Sequence, residues 1–332
     1  MPSGDTAAAR LRAVDVVARN RMSADGVGGP MSNRLVLPAV LLLATLGVAA
    51  CSSGGASAPS ASASPSAVSP SLTPSPTVGA IAHPTGADEI VLRYEDMGGF
   101  TPPEWQAARL PYFTLYGDGR VVFQQTTAEM PPREDNVFVG SPLRTALLSE
   151  DQVQELLEYA LTDGGLAIAR ADYPNAMIAD APTAVFTINA ANDSKTVSVM
   201  ALGMESQPGP DTVVLKKLAT LGERLRDFDQ GGTLPSEQYL APAYRGVILE
   251  QQGIQGVQVR DWPWVDIQPS DFTLPPDPNA LQQGTRTLMP EEAAAVGVQG
   301  FENGIMSGVY LRAPDGKTYS LVIRPLLPDE TK

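Results

Sequence analysis

Tyr112-Phe113-Thr114-Leu115-Tyr116, Gly117-Asp118-Gly119, Arg120-Val121-Val122-Phe123: two β-rich runs parted by a turn tripeptide decide the reading of this chain. Aromatic and β-branched residues suit a pleated, half-buried surface, and Asp-Gly between such runs is a strong hairpin signal. A second hairpin is expected from Ala184 to Ala190 and Thr196 to Leu202, turning at Asn192-Asp193-Ser194. A third should pair Gly308 to Arg312 with Thr318 to Arg324. Single strands are expected at Glu89 to Tyr94, Tyr244 to Glu250 and Val257 to Trp262.

Helical periodicity interrupts this pattern three times. Ser149 with Gln152 three residues on forms a capping box, followed by Val153, Leu156, Leu157, Ala160 and Leu161 on one face. Between Asp211 and Phe228, the residues Val214, Leu218, Leu221, Leu225 and Phe228 make a core-facing stripe. A short helix should begin at Pro290, with Glu291 and Glu292 at its positive end. The fold class is therefore α+β: antiparallel sheet or sheets of hairpins with about three helices. Asp193-Ser194-Lys195-Thr196 and Asp315-Gly316-Lys317-Thr318 repeat one turn pattern. That repeat suggests two similar helix–hairpin halves, residues 88–232 and 233–332, packed on or continuous with each other.

The N-terminus is of another kind. Leu35 to Ala50 is apolar but short of the ~20 residues that a spanning helix needs, and Arg34 precedes it. This is the form of a secretory signal. Val48-Ala49-Ala50-Cys51 resembles the lipobox of bacterial lipoproteins. The resemblance implies cleavage between Ala50 and Cys51, a diacylglycerol thioether on Cys51 and acylation of the new amino terminus. Multiple chains on one residue anchor far better than one. Residues 1–30 mix Arg10, Arg12, Arg19 and Arg21 with Asp5, Asp15 and Asp25, unlike a compact signal start, so Met22 or Met31 is the expected start. Residues 51–87 are rich in Ser, Pro and Ala, the composition of a disordered tether.

Charge and missing residue types exclude much chemistry. The whole chain carries −14, and beyond residue 50 there are 34 acidic residues against 18 basic ones. Such a surface opposes nucleic-acid binding, which depends on Lys and Arg at phosphates. It also opposes electrostatic docking on anionic lipid, leaving membrane attachment to the anchor. The only cysteine is Cys51 and the only histidine, His83, falls in the expected tether. A domain without either type has no Ser-His-Asp triad, no Cys-His pair and no His/Cys zinc or haem site. No Ser-x-x-Lys, phosphate-binding P-loop or dinucleotide-binding glycine motif occurs.

Carboxylate chemistry survives, since paired Asp or Glu residues cleave glycosides without histidine. Glu95-Asp96 and Glu134-Asp135 fall in expected loops, where a solvated role is the simpler reading. Asp227-Phe228-Asp229-Gln230-Gly231-Gly232 partly matches a calcium loop, with Glu237 one place before the twelfth position. Gln238 holds that position, and Gly231 reads equally well as a helix C-cap. Trp262 and Trp264 share a face in extended backbone, either capping the core or stacking a sugar or partner; Trp105 is a weaker candidate for the same surface.

Three stretches resemble an uncharacterised family of secreted proteins and lipoproteins of high-GC Gram-positive bacteria. They are Glu89-Ile90-Val91-Leu92-Arg93 leading to Gly98-Gly99-Phe100, Phe113 to Val121, and Arg324-Pro325-Leu326-Leu327-Pro328-Asp329-Glu330. The resemblance implies placement and carries no activity. The expectation is a lipid-anchored module on the outer face of the cytoplasmic membrane, non-catalytic, binding a cell-wall polymer or an envelope protein or serving as a scaffold there. Its rivals are a carboxylate-based hydrolase of cell-wall glycan and an inhibitory module resembling PepSY-like domains at residues 290–325.

Overall fold

A computed structural model describes residues 79–125, 137–175, 177–204, 209–277, 280–301 and 304–331. In chain order its first elements are β1 (Ile90–Gly98), α1 (Pro103–Ala107), β2 (Phe113–Tyr116), β3 (Arg120–Gln124), β4 (Phe138–Val139) and β5 (Leu143–Leu147). Next come α2 (Glu150–Leu161), β6 (Asp172–Tyr173), β7 (Pro182–Ala190), β8 (Asp193–Met200), α3 (Thr212–Arg226) and β9 (Glu237–Gln238). The chain finishes with β10 (Tyr244–Gln251), β11 (Val259–Asp261), β12 (Gly284–Leu288), α4 (Pro290–Ala294), β13 (Met306–Arg312) and β14 (Thr318–Pro325). The fold is mixed α and β, with two sheets that are mostly antiparallel.

The hairpin that opened the reading forms as expected. Phe113 pairs with Phe123 and Leu115 with Val121. Its Gly117 has a tertiary reason as well as a turn role. A Cβ there would lie 2.7 Å from backbone atoms of Pro84 and Gly86, which cross over the turn. The hairpin occupies the middle of an eight-stranded sheet ordered β6-β8-β7-β1-β2-β3-β5-β9. The second sheet runs β11-β13-β14-β10-β12, with β4 added on β13. Among the described residues, only β6 on β8 and β11 on β13 are parallel.

Alternation sends Leu92, Phe113, Leu115, Val121 and Phe123 to one face, where Val153, Leu157, Leu218 and Leu221 of α2 and α3 cover them. Each such side chain contributes roughly 1.5–3 kcal/mol on burial. Phe228 ends just beyond α3 and still packs on Phe113 at 4.7 Å. The α2 capping box closes as predicted: Gln152 N donates to Ser149 Oγ and Ser149 N to Gln152 Oε1. Tyr116, Val122 and Leu143 face the other way, into a second core shared with Tyr244, Leu321 and Ile323 of the second sheet and with Phe301 of the segment before β13. The first sheet is thus the middle layer.

Several expectations need correction. The second hairpin turns at Ala191-Asn192, where both residues take positive φ (55° and 61°), not at residues 192–194. The short α1 adds a fourth helix among the described residues. The repeated Asp-Lys-Thr turns do not extend to a shared strand order: β1 adjoins the first strand of its hairpin, β7, whereas β10 adjoins the second, β14. Nor do residues 232 and 233 divide two halves, because β4 pairs into the second sheet and β9 into the first.

The folded part also begins before Asp88. Ile81 N donates to Gln154 Oε1 at 2.7 Å, and Gln154 Nε2 donates back to Ile81 O at 3.0 Å. Ala191 N donates to Ala82 O. His83 therefore belongs to the domain, its ring 3.2 Å from Glu150 Oε1 and 2.6 Å from Pro84 O. Side-chain amide pairing with backbone gives this segment a fixed seat that its composition did not announce.

Candidate functional site

The tryptophans are not a shared surface. Trp264 is 7 % exposed and donates its indole N–H to Glu292 O at 2.7 Å. Trp262 donates to Ile267 O at 2.6 Å and meets Trp264 edge-on at 5.0 Å, with Phe272 and Tyr319 around it. Both indoles spend their polar atom inside the fold, the behaviour of core aromatics. Trp105, on α1, packs on Phe138 at 4.9 Å and belongs to a separate cluster with Val247 and Val322.

Nor do the calcium candidates converge. Asp227 Oδ1 accepts the Gly231 N–H, closing the loop as a C-cap would. Asp229 is 2 % exposed and its carbonyl accepts from Gly232, Thr233 and Leu234. Glu237 is exposed on β9, in register with Thr145. Among the described residues no group of three or more His, Cys, Asp or Glu is placed to hold a metal ion. Ala50, Cys51, Glu134 and Asp135 lie outside the described residues.

Sequence reasoning missed the polar pocket that the two sheets and α1 enclose. Glu95 and Asp96 are not in a loop; they lie within β1 and so point to opposite faces. Asp96 joins Tyr94 on the helix-covered face, where Arg226 binds its Oδ2 at 3.1 Å and the Tyr94 hydroxyl at 3.0 Å. Glu95 joins Arg93 on the other face, in a pocket of about 230 Å³ that also involves Gln106, Arg109, Arg324 and Glu330.

Around that pocket the arginines are engaged. Arg93 Nη2 donates to Asp329 Oδ1 at 2.7 Å, and Nε donates to Thr114 Oγ1 at 3.1 Å. The Tyr116 hydroxyl donates to the same Asp329 oxygen. Arg324, only 4 % exposed, grips both Glu330 oxygens at 2.6 Å. Arg245 lies 3.8 Å from Glu330, and Leu327 N donates to it at 3.0 Å. Arg109 staples the end of β1 through Asp96 O, Gly98 O and Thr101 Oγ1.

Glu95 differs from its neighbours. Its carboxylate makes no hydrogen bond or ion pair among the described residues. Burial raises its pKa; Arg93 and Arg324 oppose the rise, while Asp329 and Glu330 reinforce it. Glu330 moves the other way. Burial alone would raise it, but the Arg324 fork, the Leu327 N–H and Arg245 together hold it below the usual carboxylate range. One carboxylate is locked and the other is available. The signal that could have found Glu95 is its phase: Arg93 and Glu95 alternate with Leu92 and Tyr94, as strand residues do.

No family model matches the chain, and neither the curated proteins nor the solved structures compared with it give a match.

Proposed function

We propose that the chain is a lipid-anchored extracytoplasmic binding module whose ligand site is the pocket at Glu95. The observation that carries the site is the free Glu95 carboxylate among arginines already engaged with Asp329, Glu330 and backbone carbonyls. An unpaired, partly desolvated charge in a concavity is destabilising by itself and is relieved by a ligand. The lipobox-like Val48-Ala49-Ala50-Cys51 supports the anchor, and the acidic body supports dependence on it.

Binding fits this geometry better than hydrolysis. A glycosidase needs a general acid and a second carboxylate free to act as nucleophile or base. Glu95 has the raised pKa of an acid, but both oxygens of Glu330 are held by Arg324. Co-sedimentation of the detergent-solubilised full chain with isolated cell walls tests the proposal. Wild type should pellet with the walls, Glu95→Gln should stay in solution, and Cys51→Ala should behave as wild type. Equal pelleting of Glu95→Gln would contradict the site; release of reducing sugar by wild type alone would favour the hydrolase.

A further inference from the structure

Phe100 stands apart from the other aromatic side chains. It is 92 % exposed, whereas none of the other seven phenylalanines exceeds 39 %. Its backbone is nevertheless fixed. The chain leaves β1 through Gly98 and Gly99 at φ 68° and 77°, a region that residues with side chains seldom adopt. Phe100 N then donates to Asp180 O at 3.1 Å. Arg109 braces the same loop, donating to Gly98 O and to Thr101 Oγ1.

That loop adjoins the pocket. Glu95 and Met97, on one face of β1, line the pocket together with Gly98. Thr101 accepts hydrogen bonds from Gln106 and Arg109, two further lining residues. A lone apolar residue on a surface is ordinary. A phenyl ring on a braced loop at the rim of a polar pocket is placed for contact with what the pocket holds.

Charge narrows the ligand. Arg93, Arg109 and Arg324 stand against Glu95, Asp329 and Glu330 around the pocket, a balance that favours neither sign. The acidic body, with 34 acids against 18 bases beyond residue 50, repels polyanions. A protein partner would cover about 800 Å², yet Phe100 is flanked by Gly99 and Thr101 rather than by further anchors. A neutral pyranose matches both parts of the site. Its hydroxyls can donate to Glu95, and its C–H face suits the electron-rich face of the phenyl ring. The cavity, about 230 Å³, lies below the ~300–1,000 Å³ of drug-sized ligands and holds a single small unit. We infer that the site takes a neutral glycan chain, one sugar hydrogen-bonded at Glu95 and a neighbouring sugar stacked on Phe100. This rests on the pocket being a ligand site.

The test is co-sedimentation of the detergent-solubilised full chain with isolated cell walls freed of protein by protease and of phosphate polymers by hydrogen fluoride. Wild type should pellet with the stripped walls as it does with untreated ones. Phe100→Ala and Phe100→Leu should bind at least ~5-fold more weakly, and Phe100→Trp within about 2-fold of wild type. Glycan strands released from the walls by amidase should compete, and the released stem peptides should not. If Phe100→Leu bound as wild type does, if stripping abolished pelleting, or if only the stem peptides competed, the glycan assignment would fall while the pocket stood. If Glu95→Gln pelleted as wild type does, or if wild type failed to pellet with untreated walls, both would fall.

Discussion

Arg93 on β1 and Asp329 in the C-terminal turn, 236 residues apart, meet at 2.7 Å. Tyr116 donates to the same carboxylate oxygen from the neighbouring strand. Asp329 thereby ties the first sheet to the segment leaving β14, while Glu330 beside it holds Arg324 and reaches Arg245 of the second sheet. The pocket wall is made by this double clasp, so the C-terminus is part of the site.

Removing one member of the clasp should be costly. Asp329→Ala leaves the Arg93 guanidinium and the Tyr116 hydroxyl without their acceptor in a largely buried setting. The expected loss is about 2–3 kcal/mol, read as a lower urea midpoint at unchanged slope. Asp329→Asn, which keeps an oxygen acceptor, should lose less.

Glu95 should behave in the opposite sense. Its folded pKa lies above its unfolded value, so the stability linked to its protonation is present at low pH and lost as pH rises through the folded value. Glu95→Gln, neutral at every pH, should therefore raise the melting temperature at pH 7. The gain should shrink as the pH falls below the carboxylate range. Solvent screening limits it to about 1 kcal/mol or less. Glu330 has the reverse linkage, its pKa being lowered in the fold. Its contribution is present above the unfolded carboxylate pKa and is lost as pH falls through the folded one. Acid titration of Glu330→Gln should then be flatter than that of wild type.

The docked N-terminal segment makes a third prediction. Because Gln154 pairs both backbone groups of Ile81, Gln154→Ala should free that segment. Limited proteolysis should then cut between residues 80 and 88, a region that wild type protects. The expected cost is about 1–2 kcal/mol for two lost hydrogen bonds.

The tryptophans give a fourth. Trp264→Ala should destabilise by about 3–5 kcal/mol, as large-to-small changes in a core do. At temperatures where the variant remains folded, its co-sedimentation with cell walls should match that of wild type.

How far the sequence spoke is clearest at particular residues. The hairpins, the two helical stripes and the short helix at Pro290 were legible because Asp-Gly turns, β-branched alternation and the Ser149–Gln152 box are local physics. The strands of two or three residues, β4, β6 and β9, were not, since pairing with distant partners creates them. Glu95-Asp96 looked like a loop because charge ended the apolar alternation, although the backbone pairing with β7 continues through both. Trp262 and Trp264 carried no local mark separating a core pair from a binding face. Their indole partners, Ile267 O and Glu292 O, come from segments that only the fold brings together. The pocket itself joins residues 93–109 to residues 324–330, a proximity that no local pattern encodes.

The most direct test of the central claim follows the Glu95 carboxyl carbon itself through a pH titration by NMR. The account predicts a midpoint above the usual carboxylate range. A midpoint within or below that range would show a solvated carboxylate and contradict the account.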